Sequence, residues 1–143
     1  MKFKKLNSLA KIPTKATSDA AGFDLYAATE YDITIEPNQT VKIGTGIAVA
    51  IPTNCFGGIF ARSGLATKRG LGPANFVGVI DADYRGEVIV ALHNYTNEVQ
   101  HIEAGERIAQ LIILPYVLET LEEVNELEDT ERGESGFGDS GRF

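Results

Sequence analysis

The stretch Thr45-Gly46-Ile47-Ala48-Val49-Ala50-Ile51, followed by Pro52-Thr53-Asn54 and then Phe56-Gly57-Gly58-Ile59-Phe60, decides the fold class. Its first seven residues barely alternate and are nearly all apolar, the pattern of a strand buried on both faces. Pro52-Thr53-Asn54 then supplies the residue types that end a strand and turn the chain. A second short apolar run follows at once. Working outward, residues 22–28, 31–35, 76–80, 87–92 and 107–114 also read as strands. Breaks fall at 36–38, 83–86, 94–97 and 103–106. Short strands broken roughly every eight to twelve residues predict an all-β sandwich or small barrel. Residues 83–86 are placed to turn 76–80 back into 87–92 as a β-hairpin.

Two segments depart from the strand pattern. Residues 63–68 predict one short helix with Ser63 as its N-cap. Val117, Leu118, Leu121, Val124 and Leu127 recur at helical spacing, which by itself favours an amphipathic helix over 117–129. Residues 130–143 hold four glycines and no periodicity, and read as a mobile tail. The expected organisation is one β-barrel domain with its arm over 1–129 and a flexible glycine-rich tail over 130–143.

Composition narrows the function. A chain of 143 residues predicts a single domain, barely large enough for a deep cleft of its own. No long apolar run suggests a membrane span, and residues 1–15 lack the apolar core of a secretory signal. Cys55 is the only cysteine, so a reducing compartment, the cytoplasm, is the simplest location. Cys55, His93 and His101 fit no common zinc spacing. The net charge of -7 argues against a protein that coats nucleic acid. That charge is unevenly placed, since nine of the 20 carboxylates follow Leu118. The body before them is close to neutral. A ligand phosphate would be met by individually placed arginines and backbone N–H groups, together with a metal ion.

Five stretches carry more glycine and specific polar chemistry than a plain sandwich requires. They are Ala21-Gly22-Phe23-Asp24-Leu25-Tyr26-Ala27-Ala28, Ala61-Arg62-Ser63-Gly64-Leu65-Ala66, Gly78-Val79-Ile80-Asp81-Ala82-Asp83-Tyr84-Arg85-Gly86-Glu87-Val88, Arg107-Ile108-Ala109-Gln110-Leu111-Ile112 and Arg132-Gly133-Glu134-Ser135-Gly136-Phe137-Gly138-Asp139-Ser140-Gly141. Arg62-Ser63-Gly64 gathers a guanidinium, a hydroxyl and backbone N–H groups where a helix begins, which suits phosphate. It equally suits a helix cap with a solvated arginine. Asp81 beside apolar residues can orient a water as a general base, whereas Asp83 and Gly86 suit turn geometry alone. A glycine-rich tail can wrap phosphates, and an aromatic within it can stack on a base, yet the same composition is common in disordered ends.

Taken together and in this order, the five stretches closely resemble the motifs of the trimeric dUTPases. The resemblance runs from about Ala21 to Gly141. It implies a distorted, jelly-roll-like β-barrel assembled as a homotrimer, with sites at subunit interfaces. It implies hydrolysis of dUTP to dUMP and pyrophosphate, with Mg²⁺ on the triphosphate and no direct protein ligand to the metal. By resemblance, Asp81 orients the attacking water. Asn75 and the backbone of Gly78, Val79 and Ile80 recognise uracil, and Tyr84 packs on the deoxyribose. Arg62, Ser63, Gly64 and Gln110 bind phosphate oxygens, and Asp24 holds charged groups in place. Arg132, Phe137, Gly138 and Ser140 close over the ligand, with Phe137 stacked on the base. The resemblance also replaces the helix expected over 117–129 with an extended arm that carries the tail to a neighbouring subunit. Ser135 stands where the family has glycine, and Asp139 where serine is common.

Two other readings share the scaffold. The related dCTP deaminases use a glutamate in place of the water-orienting aspartate, and the run ending in Asp81-Ala82-Asp83-Tyr84 favours dUTP hydrolysis. A nucleotide-gated regulatory protein would keep the same residues, but no large inserted loop supports it.

Overall fold

A computed structural model describes residues 1–136. Eleven strands and one short helix are formed among them. The strands are β1 (Lys2–Lys5), β2 (Phe23–Tyr26), β3 (Ile33–Ile35), β4 (Thr40–Gly44), β5 (Ile47–Ala50), β6 (Cys55–Phe60), β7 (Leu71–Pro73), β8 (Gly78–Ile80), β9 (Ile89–Asn94), β10 (Gln100–Ile102) and β11 (Arg107–Pro115). Helix α1 (Ser63–Arg69) lies between β6 and β7. A four-stranded sheet has the order β2-β11-β6-β8 and a three-stranded one β4-β9-β7. Two ribbons, β1-β5 and β3-β10, complete the set, and all pairings are antiparallel. These sheets enclose one core containing Leu25, Ile35, Ile43, Leu71, Leu92, Ile102, Ile108 and Leu111, each at most 1% exposed. The result is the all-β barrel that the strand pattern predicts, in the jelly-roll-like form that the family resemblance implies.

The deciding stretch behaves as read. Ile47, Ala48 and Val49 of β5 are all buried, and β6 follows after the turn. Gly57 lets β6 pack closely. A Cβ there would sit 2.9 Å from Leu111 Cδ1 and 3.0 Å from Ile51 Cδ1, closer than side chains pack.

β11 positions the site. It pairs with β2 on one side and β6 on the other, so Gln110 lies opposite both Asp24 and Phe60. On the β2 side the register shifts between Arg107 and Ala109, with Arg107 opposite Tyr26 and Ala109 opposite Leu25. Ile108 is the extra residue of this bulge. In a regular strand Arg107 and Gln110, three apart, would point to opposite faces. The bulge turns Arg107 onto the face that carries Asp24 and Gln110.

Several expectations are corrected. The hairpin expected between 76–80 and 87–92 does not form. β8 pairs with β6, whereas β9 pairs with β7 and β4. The hairpin is instead β7-β9, and β8 lies on the excursion between them, joined to the other sheet. Phe76 is not in a strand. It has a φ of +61 and is 77% exposed. Ser63 is not the N-cap of α1. Arg62 is, with extended backbone and no side-chain cap, and its carbonyl accepts the Ala66 N–H at 2.9 Å. Ser63 is therefore already helical. α1 ends at Gly70, whose left-handed φ of 61 suits glycine.

Residues 117–129 form no helix. Leu118, Leu121 and Leu127 are exposed, so the apolar stripe finds no surface here to cover. Glutamates at 119 and 123, and at 122 and 126, would repel at i,i+4 spacing, and an unpacked helix of this length is marginal. Strands β1, β4, β7 and β10 add to those read from sequence. β1, Lys-Phe-Lys-Lys, is wholly exposed and has no core-facing period to reveal it.

Candidate active site

Asp24 organises the first half of the site. It lies in the middle of β2 and is 9% exposed. Its Oδ1 accepts Arg62 Nε at 2.9 Å, and its Oδ2 accepts Arg107 Nη1 at 3.0 Å. Arg62 Nη1 also donates to the Arg107 carbonyl at 3.3 Å. One carboxylate thus holds two guanidiniums side by side and leaves the group one positive charge in excess. Both arginines keep solvent-facing surface, with side chains 26% and 48% exposed. Two fixed forks of N–H donors with surplus charge suit an anion with several oxygens.

Gln110 lies on the same face. Its Nε2 donates to the Ala61 carbonyl at 2.9 Å, which turns the amide toward the start of α1. Gly22 makes room for it, since a Cβ there would stand 2.7 Å from Gln110 Oε1. Ser63 and Gly64 are exposed in the first turn of α1, beside Arg62. The structure therefore brings together Asp24, Arg62, Ser63, Gly64 and Gln110. Arg107 belongs with them, although sequence reasoning did not single it out as a site residue. The bulge at Ile108 is what delivers it, and nothing in the run Arg-Ile-Ala-Gln announces a bulge.

The second half is built on the excursion between β7 and β9. Asn75 closes a tight turn, its carbonyl accepting the Val77 N–H at 2.6 Å. Among the described residues β8 is an edge strand, paired only with β6, so its other edge keeps backbone donors and acceptors available. Gly78 allows the close approach, because a Cβ there would lie 3.2 Å from Ile59 Cβ and 3.4 Å from Asn75 Nδ2. Asp81 is exposed and follows β8 directly. Its carbonyl accepts the Tyr84 N–H at 3.2 Å, closing the turn. Tyr84 folds back over Gly86, and its hydroxyl donates to the Glu87 carbonyl at 3.0 Å. Glu87 Oε1 in turn accepts the Gly46 N–H at 2.7 Å, tying this loop to the turn before β5.

The two halves do not meet within one chain. Ile80 pairs with Gly57 near the start of β6, and Arg62 lies five residues beyond Gly57, past its end. The antiparallel register carries Asp81 opposite Phe56, six residues from Arg62, so at about 3.3 Å per extended residue the two sit roughly 20 Å apart along β6. Arg132 lies in a turn near the end of the described residues, with its Nε donating to the Ser135 carbonyl at 2.9 Å. Phe137, Gly138 and Ser140 lie outside the described residues. No three His, Cys, Asp or Glu side chains cluster as a metal site among the described residues. No described helix is long and apolar enough to cross a membrane.

Comparison with known proteins gives a consistent picture. The family model described as dUTPase matches residues 8–141. The deoxyuridine 5'-triphosphate nucleotidohydrolase of Nautilia profundicola is 48% identical over 142 residues, 99% of each chain. The mitochondrial human protein of that name is 44% identical over 142 residues, 99% of this chain and 55% of the human one. A Staphylococcus bacteriophage 80alpha dUTPase solved with dUpNHpp superposes with a TM-score of 0.89 at 32% identity, covering 99% of this chain and 98% of that one. Matched in sequence from end to end and in fold by these proteins, the chain belongs to the dUTPase family.

Proposed function

We propose that this chain hydrolyses dUTP to dUMP and pyrophosphate at sites assembled between the subunits of a homotrimer. The observation that carries the reading is the pair of arginines presented on one face by the single carboxylate of Asp24. Such a group receives a polyphosphate. Arg62 and Arg107 take non-bridging oxygens, while the Ser63 hydroxyl, the Gly64 N–H and Gln110 complete the contacts. Mg²⁺ arrives bound to the triphosphate as part of the substrate. The protein groups placed at the phosphates are cations and neutral donors rather than a carboxylate cluster.

The nucleoside is read from the other half of the site, supplied by a neighbouring subunit. The free edge of β8 offers backbone N–H and C=O groups from Gly78, Val79 and Ile80 to the matching edge of uracil, beside the Asn75 amide. Tyr84, fixed over Gly86, covers the deoxyribose and leaves no room for a 2′-hydroxyl. Asp81 accepts the proton of a water whose oxygen bonds to the α-phosphorus. The bond from that phosphorus to the bridging oxygen breaks, and pyrophosphate leaves. Residues 1–129 supply the barrel and an arm. The tail over 130–143 closes the site, with Arg132 on phosphate, Phe137 stacked on uracil, and Gly138 and Ser140 against the phosphates. In the cytoplasm this activity would limit uracil entry into DNA and supply dUMP for dTMP synthesis.

Pyrophosphate release from dUTP, dTTP, dCTP and UTP, with and without Mg²⁺, tests the reading. Rapid release from dUTP alone, dependent on Mg²⁺, is the expected result. No release from dUTP would reject it. The sugar contact has its own test. Replacing Tyr84 by alanine removes the wall against the 2′-hydroxyl, so the preference for dUTP over UTP in kcat/KM is expected to shrink by about tenfold or more. An unchanged preference would place sugar discrimination elsewhere.

A further inference from the structure

α1 spans seven residues and buries only Leu65, so it has little packing of its own to fix its direction. Its start is held through Arg62 and Asp24. Its end is held by Arg69, the last helical residue. Arg69 Nη1 donates to Glu106 Oε1 at 2.7 Å, Nη2 donates to the His101 carbonyl, and Nε reaches Gln100 Oε1 at 3.5 Å. Glu106 is itself tightly placed. Its Oε2 accepts the Glu103 N–H at 3.0 Å, and its carbonyl accepts the Ala27 N–H at 2.8 Å. The next residue in the chain is Arg107.

These contacts form a closed circuit. Arg62 leads through α1 to Arg69, Arg69 pairs with Glu106, Glu106 is bonded to Arg107, and Arg107 shares Asp24 with Arg62. We propose that the Arg69–Glu106 pair is a positioning brace for polyphosphate, fixing the first turn of α1 against the arginine of β11. Neither residue touches the ligand. Their side chains are 32% and 24% exposed, and a partly exposed ion pair of this kind contributes only modestly to global stability. What the brace supplies is the angle of α1, and with it the placement of Ser63 and Gly64 relative to Arg107. The planar guanidinium holds three acceptors at once, which a lysine ammonium on a flexible stem would not reproduce.

The inference rests on the reading of Arg62, Ser63, Gly64 and Arg107 as the polyphosphate site. It is tested by calorimetric titration of the full chain with inorganic tripolyphosphate and, separately, with deoxyuridine. Arg69→Met is expected to weaken tripolyphosphate binding about tenfold and to leave deoxyuridine within about twofold, with a modest fall in melting temperature from the three lost hydrogen bonds. Arg69→Lys, which keeps the charge, is expected to recover part of the loss. Arg69→Met combined with Glu106→Gln is expected to do no more harm than Arg69→Met alone, because both break one contact. Equal weakening of both ligands, simple addition of the two substitutions, or unchanged tripolyphosphate binding would each overturn the brace. Turnover of dUTP by the unmodified protein is measured alongside. With that turnover intact, any of those three outcomes removes the brace alone, whereas its absence would remove the functional reading and the brace together.

Discussion

Asp81→Asn is expected to lower dUTP turnover by about a hundredfold to ten-thousandfold while leaving affinity for a non-hydrolysable dUTP analogue near normal. The reason is local. The side chain is exposed, and the part of Asp81 that builds the turn is its backbone carbonyl, which accepts the Tyr84 N–H. An amide of the same shape leaves that turn intact. It cannot take a proton from water, and loss of a positioned general base carries a rate penalty of that order. Single-turnover kinetics alongside direct binding checks this. Turnover within a few-fold of the parent would remove Asp81 from the role of base. A parallel collapse in affinity would mean that the residue holds the loop rather than the water.

Asp24→Ala is expected to be nearly as damaging by a different route. It removes the acceptor shared by Arg62 and Arg107 and leaves two cations side by side with nothing between them. Both lose their aim, and misplacing groups that orient a substrate costs on the order of a hundredfold in kcat/KM. Asp24 is nearly buried, and hydrogen bonds to charged groups contribute about 1.5–3 kcal/mol, so the melting temperature also falls. Asp24→Asn keeps one acceptor oxygen and is expected to fall between parent and alanine variant. Steady-state kinetics with thermal melting separates the two effects. Lost stability with unimpaired kcat/KM would make Asp24 a structural tie alone.

Much of the barrel was legible because its strands announce themselves locally. The apolar run of β5, the turn at Pro52-Thr53-Asn54 and the long run of β11 each carry their own signal. What escaped was decided by distant partners. Residues 83–86 have the composition of a hairpin turn, yet β8 pairs across to β6, and no local signal around residue 80 reports that choice. The periodic stripe over 117–129 has the spacing of a helix, but a stripe forms a helix only when something covers it, and the described residues offer no cover. In the site, Asp24, Arg62 and Arg107 all stood in recognisable motifs, but Arg107 was not singled out as a site residue. Its function depends on one extra residue in a strand, and Ile108 looks like any other strand residue. Asp81 shows the opposite case. Its place directly after an apolar run already set it apart from Asp83, which suits the turn alone, and the resemblance to the family added the role of orienting water.

In the proposed arrangement each site is assembled between chains, because Asp81 and Arg62 lie at opposite ends of β6 in any one of them. The direct measurement is complementation between two inactive variants, Asp81→Asn and Arg62→Ala, co-expressed so that the subunits mix at random. A site regains both groups when its Asp81 comes from the Arg62→Ala chain and its Arg62 from the Asp81→Asn chain. Each condition has even odds, so about a quarter of the sites in purified mixed trimers are predicted to recover. If one chain supplied both groups, every site would lack one of them. Mixed trimers no more active than either parent variant would contradict the account.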